Sequence, residues 1–97
     1  MYIVVSEWEA FPGKEEEFDR IGKEVARVLR AQPGVLLLHA FNSGSKKMSV
    51  HGYQDEATYR ALVHDPNSAF ARSVADKGLE RIARWVRSES GETIELG

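Results

Sequence analysis

Between Met48 and Pro66 the chain reads MSVHGYQDEATYRALVHDP, and this stretch leaves few folds open. Its first six residues alternate: Met48, Val50 and Gly52 fall on one side of an extended backbone, Ser49, His51 and Tyr53 on the other, because successive strand side chains point to opposite faces. Asp55 then stands where a carboxylate can accept the free N–H groups of a first helical turn, and Tyr59, Leu62 and Val63 recur at helical spacing. A strand therefore runs through Gln54-Asp55 directly into its covering helix. One face of that strand is apolar; the other carries groups able to do chemistry.

The segments around it complete the pattern. YIVVSEWEA predicts a first strand with Tyr2, Val4, Ser6 and Trp8 on one face and Ile3, Val5, Glu7 and Glu9 on the other. Glu7 and Glu9 are either an acid/base pair or the solvated end of their face. After Phe11-Pro12-Gly13, the spacing of Phe18, Ile21, Val25, Val28 and Leu29 predicts a helix over Lys14 to Ala31, with glutamates in its first turn and Arg27 and Arg30 near its end. Gly22 in its middle costs up to ~1 kcal/mol relative to Ala, which suggests a close backbone contact there. VLLLHAF, Val35 to Phe41, predicts a second strand that turns back through Asn42-Ser43-Gly44-Ser45 into the organising one. If Asn42 pairs with Ser45, His39 and His51 lie on opposite faces; a slip of one residue puts them on the same face. Asp65-Pro66 reads as N-cap and first residue of a helix carrying Phe70 and Val74 and ending near Gly78, with Leu79, Ile82 and Ala83 as a last helical turn. Trp85, Val86, Thr93, Ile94 and Leu96 mark a final extended segment, broken near Ser90-Gly91 by a kink or bulge.

Strand, helix, strand, strand, helices, strand is the order of an α+β, ferredoxin-like split βαβ sheet with its helices on one face. The 97 residues make a single domain, 1–97. A chain this short buries only about 60 to 65% of its unfolded surface, so covering the bare sheet face with a second copy is the expected solution. Thirteen basic and fifteen acidic residues are interleaved, which leaves no basic stripe for nucleic acid and no polybasic membrane anchor. Without cysteine there is no thiolate nucleophile, iron–sulfur cluster or zinc ribbon. The N-terminus has no apolar export signal and no apolar run approaches a membrane span, so a cytoplasmic location is expected.

The segments PGKEEEF (Pro12–Phe18), PGV (Pro33–Val35), HGYQDEATY (His51–Tyr59) and WVRSESGET (Trp85–Thr93), in this order after a first strand, resemble the antibiotic biosynthesis monooxygenase-like domains of the dimeric α+β barrel superfamily. The resemblance implies a homodimer whose two sheets close into a barrel, with a cavity between each sheet and its own helices. It implies activities ranging from cofactor-independent oxygenation of aromatic quinols to haem degradation to none known. The Asn, Trp and His used by the haem-degrading branch align with Ser6, Leu62 and Val74, so its ligand types are missing, and no haem, flavin or transition metal is expected. Oxygenation without a cofactor needs a base that removes a phenolic or acidic C–H proton before dioxygen reacts with the substrate anion. The catalytic candidates are His51, the first choice of base with activity rising through a pKa near 6.5, then His64, with Tyr53 as a hydrogen-bond donor to a carbonyl or peroxide oxygen. Trp8, Tyr59, Trp85 and His39 are the substrate-binding candidates, the tryptophans as surfaces for a flat ring. Each has a plainer alternative: the aromatic residues as core, His51 as an interface histidine, His64 as a residue completing a helix C-terminus. The contrasting function is a non-catalytic dimeric domain for small-molecule binding or assembly.

Overall fold

In the computed structural model, which describes residues 1–97, four strands form one antiparallel sheet in the order β2-β3-β1-β4. β1 is Tyr2–Ala10, β2 Val35–Ser43, β3 Lys46–Tyr53 and β4 Ala83–Glu92. α1 (Glu15–Arg30) crosses from β1 to β2, and a string of shorter helices joins β3 to β4. The α+β split βαβ arrangement read from the sequence is the one found.

Register decides which side chains meet the helices. Val4 pairs with His51, Tyr2 with Tyr53 and Ser6 with Ser49; on the other side of β1, Ser6 pairs with Ser88. Tyr2, Val4, Ser6, His51 and Tyr53 are buried beneath the helices. The β2–β3 hairpin closes through Gly44-Ser45, with Ser43 opposite Lys46. Gly44 takes φ 61 while Ser45 keeps a negative φ, the demand of a type II′ turn, which only glycine meets at its first position without strain. His39 therefore pairs with Val50 and lies on the face opposite His51.

α1 buries Ile21, Val25 and Leu29 against Leu79 and Ile82 on one side and against the tyrosine cluster Tyr2, Tyr53 and Tyr59 on the other. Only 15 of 97 residues are buried, so the core is thin. Gly22 has no close backbone neighbour: a Cβ there would meet nothing nearer than Phe18 Cε1 at 4.0 Å. The contact suggested by the mid-helix glycine is replaced by open space.

The segment after β3 departs from a plain helix. Asp55 caps it as read, accepting from Thr58 N–H at 2.7 Å. The α-helix α2, however, covers only Glu56–Tyr59 and gives way to a π turn over Arg60–His64, in which Asp65 N–H donates to Arg60 C=O at 3.2 Å. Asp65 is not the N-cap of the next helix. α3 (Ala69–Lys77) is capped by Ser68, whose Oγ accepts from Ala71 N–H at 3.0 Å; Asp65 instead holds a turn, accepting from Asn67 N–H. A carboxylate before proline at helical spacing imitates a cap, but a cap must reach the N–H groups of the first turn, and Ser68 is the residue placed to do so. α3 ends at Gly78 in the left-handed conformation, α4 is Leu79–Ile82, and Ala83 already belongs to β4.

β4 has neither a kink nor a bulge at Ser90-Gly91, which pair regularly with Val4 and Ile3. Its irregularity lies earlier: Glu7 pairs with Arg87 but Trp8 with Trp85, leaving Val86 as the extra residue of a bulge. Thr93, Ile94 and Leu96 lie beyond the strand, tied by Thr93 N–H donating to Met1 C=O and by the Met1 ammonium donating to Thr93 Oγ1 at 3.2 Å. The two strand-end carboxylates are ion-paired on the outer face, Glu7 with Arg87 at 3.3 Å and Glu9 with Arg84 at 3.1 Å. That outer face also carries Ile3, Val5, Leu37, Val50 and Phe41, with nothing from this chain over it. No helix is long and apolar enough to cross a membrane.

Candidate functional site

Between the helix-facing side of the sheet and the helices lies an open cleft of about 1380 Å³. This exceeds the 300–1,000 Å³ usual for a small-molecule site, so a ligand would occupy part of it. Trp8, Phe18, Phe70, Val74 and Trp85 supply apolar wall, and Ser6, His51, Ser88, Tyr59 and His64 are polar or part-polar groups within it. Lys23, Arg27 and Arg30 of α1 border the opening, and none has a carboxylate within ion-pair distance. An opening lined this way favours an anion.

One polar group is the pair Tyr59 and His64, Oη to Nε2 3.0 Å, with the rings edge to face. In an α-helix residues five apart point about 140° away from each other. The π turn closes one residue later and returns His64 to the side of Tyr59. Tyr59 is 8% exposed and packs against Tyr2 and Tyr53, whereas His64 is exposed. Burial pushes the Tyr59 phenol up. The pair thus links a buried phenol on the cleft to solvent.

The other polar group is a chain of hydrogen bonds across three strands. His51 Nδ1 lies 2.6 Å from Tyr53 Oη and its Nε2 3.4 Å from Ser6 Oγ. Ser6 Oγ lies 2.7 Å from Ser88 Oγ, and Trp85 Nε1–H donates to Ser88 Oγ at 3.0 Å. Burial drives the His51 pKa down to about 4 and raises that of Tyr53, with the neighbouring Tyr59 adding to the latter. Both groups are therefore neutral at pH 7. No buried side-chain polar atom lacks a partner.

The structure gathers His51, His64, Tyr59, Trp8 and Trp85 of the sequence candidates around one cleft. Tyr53 is fully buried behind His51 and does not border it. His39 reaches only the margin of the cleft from β2 and points to the outer face. Trp85 is 56% exposed at the opening. Sequence reasoning missed Ser6 and Ser88 as site residues. The alternation of β1 had placed Ser6 on the right face; Ser88 was out of reach because its position depends on the Val86 bulge. Ser6 and Val74, two of the positions aligned with the haem-degrading set, do lie on the cleft but offer no axial donor, and Leu62 packs in the tyrosine core. Both nitrogens of His51 are engaged within the protein. No three His, Asp or Glu side chains converge as a metal site.

Among solved structures, the fold is shared with SnoaB, a cofactor-independent oxygenase from Streptomyces nogalater, at a TM-score of 0.79 and 14% identity over 98% of this chain and 94% of that one. It is shared with NE2512, a protein of unknown function from Nitrosomonas europaea, at 0.74 and 19% identity, covering 99% and 91%. It is also shared with MupZ from Pseudomonas fluorescens at 0.71 and 16% identity, covering 92% of this chain and 69% of that one. No curated protein matches the sequence. The family model for antibiotic biosynthesis monooxygenases matches residues 1–68, a span that holds Ser6, His51, Tyr59 and His64. With β1 through the π turn inside that match, the chain belongs to the antibiotic biosynthesis monooxygenase family.

Proposed function

We propose that the chain is a cofactor-independent monooxygenase of electron-rich aromatic, quinol-like compounds, working as a cytoplasmic homodimer. The observation that supports this most is the Tyr59–His64 pair opening on a cleft whose remaining wall is largely apolar and aromatic. The reaction needs one proton taken from a weakly acidic substrate in a place that excludes most water. An acidic ring CH₂ gives a proton to Tyr59 Oη while the tyrosine's own proton passes to His64 Nε2. The electron pair stays on the substrate, spread over its rings. Dioxygen forms a C–O bond with this anion, and the peroxide oxygen takes a proton back from the Tyr59–His64 pair. The O–O bond then breaks: one oxygen remains as a ring carbonyl, and the other leaves as water with the second CH₂ hydrogen. His64, being exposed, exchanges any surplus proton with solvent. His51 is a weaker candidate for the base, since its nitrogens are both occupied and burial opposes its protonation.

Oxygen uptake with a panel of anthrones, which carry the ring CH₂ the reaction needs, tests the reading. Uptake of about one dioxygen per substrate, above the rate without protein, supports it; a panel that binds yet consumes no oxygen leaves the non-catalytic binding domain in its place.

The outer sheet face supports the dimer, as does the family, whose members are typically dimeric and bind small molecules. Ile3, Val5, Leu37 and Val50 stay half-exposed on that face and Phe41 is 48% exposed, an arrangement soluble monomers rarely keep. Light scattering at micromolar concentration should give twice the 10.9 kDa of one chain. A monodisperse species at the single-chain mass would reject the dimer.

A further inference from the structure

We infer that Ser88 is a hydrogen-bond donor aimed into the cleft, the end of a proton-ordered chain that starts at Tyr53, and that it takes a carbonyl or phenolate oxygen of the ligand. The ordering follows from satisfying each group in turn. Tyr53 is fully buried, and its hydroxyl proton has one acceptor within reach, His51 Nδ1 at 2.6 Å. That distance suits O–H donation and is short for an N–H donor to oxygen. The opposite order, His51 Nδ1–H donating to Tyr53, would leave a buried phenolic proton unpaired, which native structures avoid. A neutral imidazole has one N–H, and burial keeps this one neutral. With Nδ1 accepting, the proton is on Nε2, which donates to Ser6 Oγ. Ser6 then donates to Ser88 Oγ, and Trp85 Nε1–H donates to the same oxygen.

Ser88 thus receives two donors, which fills both of its lone pairs. Its own proton has no partner in the protein, and the residue borders the cleft. Bonds aligned in one direction polarise one another, so the last hydroxyl donates more strongly than an isolated serine. It cannot accept a proton from a ligand without reversing the whole chain. Ser6, His51 and Tyr53 are positioning residues in this arrangement; only Ser88 meets the ligand. The inference deepens the proposed function by naming a ligand group bound in the same cleft as Tyr59–His64, an oxygen carrying negative charge or a carbonyl dipole. It rests on that reading for the aromatic frame of the ligand and not for the direction of the chain.

Two measurements on the intact protein test it, and neither needs turnover. Nitrogen-15 NMR of the His51 imidazole at pH 7 should show a protonated Nε2 and an unprotonated Nδ1; the reverse tautomer would overturn the inference. Binding of anthraquinone-2-sulfonate is then compared with anthracene-2-sulfonate, which has the same frame and charge but no carbonyl oxygen. The parent should prefer the quinone about tenfold, the value of one good hydrogen bond. Ser88→Ala should abolish that preference, and Ser88→Thr, which restores a hydroxyl, should keep most of it. A preference unchanged in Ser88→Ala, or no binding of either compound, would overturn it. Absence of oxygen uptake alone would remove the monooxygenase reading and leave this one standing.

Discussion

Tyr59→Phe is expected to lower turnover of a quinol-type substrate about 100- to 10,000-fold, the range associated with loss of a general acid–base group. The substitution removes one oxygen and keeps the ring that packs against Tyr2 and Tyr53, so the core should survive. His64 loses its partner, but it is exposed and water replaces the bond at little cost. A fall in kcat with intact folding and oligomeric state is therefore the expected signature. His64→Ala should fall in the same range, because the proton leaving Tyr59 then has no acceptor. The two residues act as one unit, so Tyr59→Phe/His64→Ala should be little slower than the worse single variant. Effects that multiply would show that the pair does not share a proton, and parent-like turnover in either single variant would remove the assignment.

The pairing also shows where sequence reading ends. Strand alternation was enough to group Tyr2, Val4, Ser6 and Trp8 on one face of β1 and His51 and Tyr53 on one face of β3, because the period of two is fixed by the backbone; that the two faces coincide comes from the register of the strands. The order of the elements gave the sheet. Registry between β2 and β3 was open until the turn was seen, since the choice between Gly44-Ser45 and the pair before it concerns a single glycine's backbone angle. The Tyr59–His64 contact was invisible for a different reason. Five-residue spacing matches neither side of an α-helical template, and a π turn leaves no compositional mark comparable to a cap or a glycine. Ser88 could not be found because β4 contacts β1 some eighty positions away and only after a bulge shifts the pairing at Val86. Asp65-Pro66 misled because the helix signal was present but the first turn lay three residues later.

The thin core and the wide cleft have one origin. A sheet of four strands with one helical layer has two faces to cover, and the helices here cover theirs incompletely. Open space beside Gly22, mid-helix and on the cleft wall, is part of the same economy of packing. The helix forgoes up to ~1 kcal/mol of propensity at that position, and room for a ligand is what the missing side chain leaves.

Between pH 7 and pH 4 the folded chain is expected to lose about 3 kcal/mol of stability through His51 alone. Its pKa falls from 6.5 to about 4 because burial opposes the charged form, and at about 1.4 kcal/mol for each tenfold change in proton affinity that gap gives the stated loss. In the unfolded chain His51 takes up a proton as the pH drops through 6.5; in the folded chain it resists until about 4. The unfolded state thus holds more protons across this window, so stability is full above pH 6.5 and drains away as the pH falls toward 4. Urea unfolding at fixed protomer concentration, at pH 7 and pH 4.5, should show the parent losing more than His51→Gln, whose amide does not titrate. Carboxylates contribute equally to both proteins, so the difference belongs to the imidazole. Equal losses would reject the assignment, as would a His51 NMR titration midpoint near 6.5. Such a midpoint would also mean that two ring protons are present over part of the neutral range, in which case Nδ1 could no longer accept from Tyr53 and the outward direction of the chain to Ser88 would fail with it.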